Sequence, residues 1–394
     1  MNNIKLAPGV YYVGAVDWNT RDFHGYGTPR GVTYNSYLIV DEKICLIDTV
    51  KYPFAGELLE RISQIVDPAK IDYVVVNHVE PDHSSALPMV MEKAVNAKVI
   101  LTEAGKAETL KHYHKNYDFQ VVKEGDSLDL GANKLHFIPL PMLHWPDSMA
   151  SYLDGEEILF SNDAFGQHIC TTKRFDDEND LHDILYEAAK YYANILMPFG
   201  KLVTKALGKL AQTPIKMIAP SHGIVWRSHI PDILHKYEQW GSSYATDKVV
   251  VAYDTMWGST EKMARRILDG IAAAGVDAKL FKVSAADRSE ILMELLEARA
   301  ILVGSSTQNN GPLPTVGALL TYLKGLRPAG KLGASFGAYG WGGGAQKVID
   351  EGLAGAGFAV DSSLALKWIP DQAELDQCFE YGLEFGKKVL AAKK

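Results

Sequence analysis

Short apolar runs broken by polar turns fill the first part of the chain, and an alternation of apolar runs with helix-period segments fills the last. Val10 to Ala15, Asn35 to Val40 and Ile44 to Ile47 read as strands, the last two joined by a turn at Asp41-Glu42-Lys43. An amphipathic helix follows over Ala55 to Val66. Tyr73 to Val76, between Pro68 and Pro81, reads as a buried strand. Leu135 to Leu140, Glu157 to Phe160 and Ile215 to Ala219 repeat that pattern, with a helix from about Asp180 to Leu196 among them. After the small polar stretch Gly241 to Asp247 the rhythm changes. Val249 to Tyr253, Lys279 to Val283, Ala300 to Val303 and Ala334 to Ala338 alternate with helical segments at Glu261 to Ala274, Ile291 to Ala298 and Gln346 to Ala354; a further apolar stretch runs from Val316 to Leu326. This is the βαβ pattern of a doubly wound parallel sheet. The expectation is an α/β chain of two domains, 1–246 and 247–394, as a length of 394 residues also implies.

Composition narrows the partners. At 47 % hydrophobic and 22 % charged the chain is an ordinary globular one. A formal charge of -8 argues against nucleic acid, whose phosphates need a basic face. No apolar run approaches the roughly 18 residues of a membrane helix, and the start lacks a secretion signal. Three distant cysteines, Cys45, Cys170 and Cys378, form neither a disulfide framework nor a Cys-x-x-Cys pair. Free buried thiols in a reducing cytoplasm are the simplest reading.

The chemistry gathers at strand ends. Beyond Val76 come His78, Glu80, Asp82 and His83 within six positions. Residues two apart on a strand or its exit point to one side, so His78, Glu80 and Asp82 can converge while His83 faces elsewhere. That suits two adjacent metals better than one. A polar turn would account for one His-x-Glu pair, though hardly for four candidate ligands. His144, Asp163 and His222 each stand just beyond another apolar run, held by a rigid element yet facing a cleft. A lone histidine there is more often structural; four strand ends finishing this way are hard to explain by packing. Asp147 reads equally as an orienting partner for an imidazole or as a turn residue after Pro146. His24, in the loop Phe23-His24-Gly25-Tyr26-Gly27, is placed as evenly between a surface loop and an active-site rim. Tyrosines at the spacing of Tyr186, Tyr191 and Tyr192 are mostly core or rim, yet one of Tyr191 and Tyr192 can serve the metals.

His78-x-Glu80-x-Asp82-His83, followed by His144, Asp163 and His222, resembles the metallo-β-lactamase fold, an αββα sandwich with two metals at its strand ends. Zinc hydrolases of that fold mostly carry His at the position of Glu80. A mixed set of imidazoles and carboxylates favours iron. The resemblance implies His78, Glu80 and His144 on one iron, Asp82 and His222 on the other, His83 as a further ligand, and Asp163 as the bridge. Trp145, next to a ligand, would keep the site dry.

In the last third, Thr255, Met256, Trp257, Gly258, Ser259 and Thr260 link a strand to a helix. Small and hydroxyl residues there let backbone N–H groups and the helix N-terminus wrap an anion. Neither the dinucleotide fingerprint nor the P-loop lysine is present. A phosphate loop of hydroxyls resembles the flavodoxin family, which binds FMN. Two later loops would hold its ring: Ser306, Thr307, Gln308, Asn309, Asn310 and Gly311, then Tyr339, Gly340, Trp341, Gly342 and Gly343. Either alone is an ordinary glycine-rich connection.

The two halves together resemble the flavodiiron protein family. The resemblance implies an oxidoreductase that reduces dioxygen to water or nitric oxide to nitrous oxide at two irons, with electrons relayed through FMN from a rubredoxin-type carrier. No Cys-x-x-Cys pair follows Ala359, so a separate carrier is expected. A head-to-tail homo-oligomer, dimer or tetramer, is implied too, with Trp341 reaching the partner's metal pocket. An oxygen-reactive, thiol-bearing protein leans the expectation towards dioxygen. The rivals are a zinc hydrolase with an appended flavodoxin-like domain, and an electron-transfer flavoprotein whose first domain only binds partners.

Overall fold

The computed structural model describes residues 4–392, which divide into two compact units. The first holds residues up to Tyr191 together with Lys201–Glu238; the second holds Tyr192–Gly200 and Gln239 onwards.

Two sheets face each other in the first unit. A seven-stranded sheet runs in the order Ile4–Ala7, Val10–Tyr12, Tyr37–Val40, Ile44–Ile47, Tyr73–Val75, Lys98–Leu101, Phe119–Val121. A five-stranded sheet runs Ser127–Asp129, Lys134–Pro139, Met149–Leu153, Ile158–Asn162, Met217–Pro220. Alternation along the strands assigns the faces. Ile39, Cys45, Ile47, Val75 and Ile100 meet Phe137, Leu153, Ile158 and Phe160 between the sheets. Leu38, Leu46, Val74 and Val99 point the other way, onto Leu58 and Ile62 of the helix Ala55–Ser63 and onto Leu87 and Val90. Burial on both faces explains why these strands read as unbroken apolar runs.

The second unit is a parallel sheet ordered Asp277–Lys282, Thr246–Asp254, Ala298–Ser305, Leu332–Tyr339, with Ala359–Val360 and Leu364–Lys367 both pairing the last of these. The chain reverses direction across the sheet between Thr246–Asp254 and Ala298–Ser305, the usual place for a ligand crevice.

Some elements escaped the pattern. The 20-residue helix Gln372–Ala391 is capped by Asp371, whose side chain accepts from the Glu374 N–H while Glu374 returns the bond. The helices Glu103–Tyr113 and Leu87–Lys93 were not anticipated either. The expected loop at residues 23–27 is a tight hairpin, Asp22–Phe23 against Tyr26–Gly27, with His24 and Gly25 at φ 54° and 89°. Val316 lies in a helix, Pro314–Leu326. Cys45 and Cys378 are buried thiols as expected, but Cys170 is only partly buried, its Sγ 3.1 Å from the carbonyls of Asp17 and Val32. None of the helices among the described residues is long and apolar enough to cross a membrane.

Candidate di-metal centre and flavin cradle

The strand Tyr73–Val75 ends in a loop that carries His78 and Glu80, and Pro81 then opens a one-turn helix, Pro81–Ser84. Proline at the first helical position, with φ already fixed, starts that turn. The two-residue alternation expected of the strand exit stops there. His78 and Glu80 point to one place, while Asp82 joins His83 at a second, so the three do not converge as the strand rule implied. The other three candidates arrive from the loops after Lys134–Pro139, Ile158–Asn162 and Met217–Pro220.

Asp163, 1 % exposed, stands between the two groups. Its Oδ2 lies 3.6 Å from His78 Nε2 and 3.3 Å from His144 Nε2. Its Oδ1 lies 3.1 Å from His83 Nε2 and 3.6 Å from His222 Nε2. Glu80 Oε2 completes the first group, 3.2 Å from His78 and 3.3 Å from His144. Asp82 Oδ2 completes the second, 3.1 Å from His222 and 3.4 Å from His83.

The centre is buried, which by itself would lower imidazole pKa values and raise carboxylate ones. The groups offset this for each other. Burial pulls His78 down, but Asp147, Glu80 and Asp163 lift it well above the ordinary value. His83 and His144 are likewise raised against burial, to about 9, by Asp82 and Asp163 and by Asp163 and Glu80 respectively. Burial would raise Asp163, yet His83, His144 and His78 hold it well below the carboxylate range. Protons on these imidazoles occupy the place that cations would take. His83 Nδ1 and Asp82 Oδ1 are buried without a hydrogen-bond partner. Such atoms are costly unless something binds them. The residues therefore fit a pair of metal ions.

Surrounding side chains orient the imidazoles. Asp147 takes His78 Nδ1 at 3.1 Å on both carboxylate oxygens and also accepts the Val79 N–H at 2.6 Å. His222 Nδ1 faces the Thr33 carbonyl at 2.6 Å, which leaves its Nε2 for the centre. Tyr191 donates to Asp163 Oδ1 at 2.9 Å. Trp145 sets its ring edge-on to His78 with centroids 5.1 Å apart. His24, largely exposed, reaches Glu80 Oε1 at 3.2 Å.

Tyr192 is not brought to this centre. It opens a π-helical turn, Tyr192–Leu196, belongs to the second unit and packs on Trp240 with ring centroids 5.1 Å apart. Successive helical side chains diverge by about 100°, so only one of two adjacent tyrosines can serve the metals. Sequence reading missed His168, which is buried against Tyr191, His222 and Tyr26. No motif marked it.

In the second unit a cavity of about 620 Å³ opens at the strand ends. Met256, Trp257, Ser259, Ser306, Thr307, Asn309, Asn310, Tyr339, Gly340, Trp341 and Gly342 line it. The remaining candidates shape its loops. Thr255 Oγ1 accepts from the Gly258 N–H, where φ is +86°, and the helix Ser259–Ala273 begins. Thr260 Oγ1 meets Ser306 Oγ at 3.0 Å. Gln308 and Gly311 exchange backbone bonds across Asn309 and Asn310, both at positive φ. Gly343 lies between Gly342 of the lining and the helix Ala345–Gly355. Trp368 and Ile369 also line the cavity and were not foreseen. Trp368, at φ 65°, backs Gly340 so closely that a Cβ there would sit 2.9 Å from its ring.

Comparison with known proteins fits both halves. Residues 32–223 match a family model described as an ODP family beta lactamase, and residues 251–382 match the flavodoxin model. A nitric oxide reductase of Moorella thermoacetica is 49 % identical over 393 residues, 98 % of each chain. The flavodiiron protein from Giardia intestinalis superposes with a TM-score of 0.97 at 36 % identity, over 99 % of this chain and 97 % of that one. The chain belongs to the flavodiiron protein family. The rubredoxin oxygen:oxidoreductase from the anaerobe Desulfovibrio gigas superposes with a TM-score of 0.96 at 41 % identity over 99 % of each chain. As a flavodiiron protein the chain is an oxidoreductase, with a β-lactamase-like first domain and a flavodoxin-like second.

Proposed function

We propose that this flavodiiron protein is a gas reductase, taking dioxygen to water and nitric oxide to nitrous oxide, with FMN in the second unit and two irons in the first. The observation that carries the reading is the division of Asp163, whose Oδ2 faces His78 and His144 and whose Oδ1 faces His83 and His222. One iron would be held by His78, Glu80 and His144, the other by Asp82, His83 and His222, and Asp163 would be shared. When bound, two ferrous ions and reduced FMN hold the four electrons that dioxygen requires, and the ferrous pair alone holds the two that join two nitric oxides.

The protein's own groups prepare this centre. Asp147 and the Thr33 carbonyl fix the direction of two imidazoles. Trp145 and the buried Tyr191 limit water around them. The Tyr191 hydroxyl keeps a proton at Asp163 Oδ1, and His24 marks the side of Glu80 nearest solvent. In the second unit the backbone from Met256 to Thr260 would receive the flavin phosphate at a helix N-terminus. Trp341 and Trp257, 90 % and 87 % exposed, would flank the ring.

Electrons would come from a rubredoxin-type carrier in the cytoplasm. A head-to-tail homodimer would bring one subunit's exposed Trp341 to the other's iron centre. Metal analysis and a visible spectrum test the cofactors, and solution mass tests the dimer. Turnover of each gas by one preparation, with rubredoxin supplied, tests the reaction. Zinc in place of iron, or consumption of neither gas, would overturn it.

A further inference from the structure

His78 is held by Asp147, and Asp147 is itself approached by a second carboxyl. Glu108 lies on the helix Glu103–Tyr113, capped by Thr102, whose Oγ1 accepts from the Gly105 N–H at 3.1 Å. Thr102 Oγ1 also lies 2.9 Å from the Asp147 carbonyl. A Cβ built on Gly105 would come within 3.5 Å of Val79, so the helix packs tightly on the loop that carries His78. Glu108, three residues on, shares that face of the helix. Its carboxyl is in hydrogen-bonding range of Asp147. Its Oε2 is buried and meets no N–H or O–H donor among the described residues.

Two carboxyls in such contact cannot both be ionised. Asp147 has the donors: the Val79 N–H and Nδ1 of His78. Those bonds mark Asp147 as the acceptor of the pair. Oε2 of Glu108 has none, and burial with the neighbouring Asp147 charge pushes the carboxyl up to about 7.

We propose that Glu108 is a positioning residue for the first iron, its carboxyl carrying a proton that it donates to Asp147, which in turn holds Nδ1–H of His78. The relay is acid to carboxylate to imidazole. It gives the Asp147 carboxylate a donor besides Val79 N–H and His78 and keeps a second negative charge from building up beside the ligand. This rests on the di-iron reading above, but the proton on Glu108 does not.

The test therefore has two arms. Infrared spectra of the metal-free full-length protein at about pH 6 are expected to show a protonated-carboxyl band that Glu108→Gln removes. In the iron-loaded protein, Glu108→Ala is expected to release iron to a chelator about tenfold faster, while Glu108→Gln, which keeps a donor for Asp147, releases it at the wild-type rate. A spectrum unchanged by Glu108→Gln, or a Glu108→Ala variant that holds iron as the wild type does, overturns the proposal. A protein that takes up no iron refutes the di-iron reading alone, and the infrared arm then decides Glu108.

Discussion

Tyr191 donates its phenolic hydrogen to Oδ1 of Asp163 across 2.9 Å, and both side chains are sealed from solvent. A hydrogen bond to a buried charge is worth about 1.5–3 kcal/mol. Tyr191→Phe should therefore lower the stability of the metal-free protein by about 2 kcal/mol in urea denaturation. A variant as stable as the wild type would show that the bond does not form.

Asp163 supplies one oxygen to each half of the centre. Asp163→Ala removes both and is expected to take iron from about two per chain to nearly none, since three protein groups per metal would remain around an uncompensated gap. Asp163→Asn keeps the shape but loses the charge, and should retain an intermediate amount. FMN should stay bound in both variants. Full iron content in Asp163→Ala, measured by plasma emission, contradicts the shared-carboxylate arrangement.

The flavin phosphate is expected where the helix Ser259–Ala273 begins. Ser259→Asp places a negative charge on that spot. Carboxylates favour helix N-termini, so the fold should be kept while the phosphate is repelled. Fluorescence titration of the apoprotein should show FMN affinity falling at least about tenfold, or 1.4 kcal/mol, with iron content unchanged. Unaltered affinity would move the phosphate elsewhere.

Lys331 is almost fully buried and donates to the carbonyls of Leu296 and Ala298. Burial, with the nearby Arg299 charge, lowers its pKa from 10.5 to about 8. A base depressed on folding binds fewer protons folded than unfolded between those values, so its penalty is full below about pH 8 and shrinks as pH rises towards 10.5. Stability should rise by on the order of 1 kcal/mol between pH 8 and 9.5 relative to Lys331→Met. Parallel profiles for the two proteins would rule this out.

How far the site was readable from sequence varied with the element. His78, Glu80, Asp82, His83, His144, Asp163 and His222 stood out because each follows an apolar run, and a rigid strand end is a fixed address. Strand geometry alone would group Asp82 with His78 and Glu80, and it fails because the period of two ends where Pro81 begins a helical turn; the family resemblance had already set Asp82 with His222. Tyr191 and Tyr192 were indistinguishable as letters; only the turn at Tyr192–Leu196 separates them. His168 and Trp368 were missed because ring contacts leave no spacing to recognise. Glu108 was hidden for another reason. Its helix, Glu-Ala-Gly-Lys-Ala-Glu-Thr-Leu-Lys-His-Tyr, has too few apolar residues to show a face. The four longer strands of the parallel sheet in the second unit were legible, the central two as continuous β-branched and aliphatic runs, but the short edge pieces Ala359–Val360 and Leu364–Lys367 were not.

The short passage Tyr192–Gly200 belongs to the second unit although the first is not yet complete along the chain. Within it, Asn194 donates to the Ser289 carbonyl at 3.1 Å and accepts from the Tyr322 hydroxyl at 2.6 Å. No single cut therefore yields both halves intact. A gene fragment starting at residue 247 would strip Ser289 and Tyr322 of those bonds, and one ending at residue 246 would carry a surface made for something absent. The two halves are threaded through one another in sequence, so exchanging the flavin-bearing part between relatives means transplanting two pieces of chain.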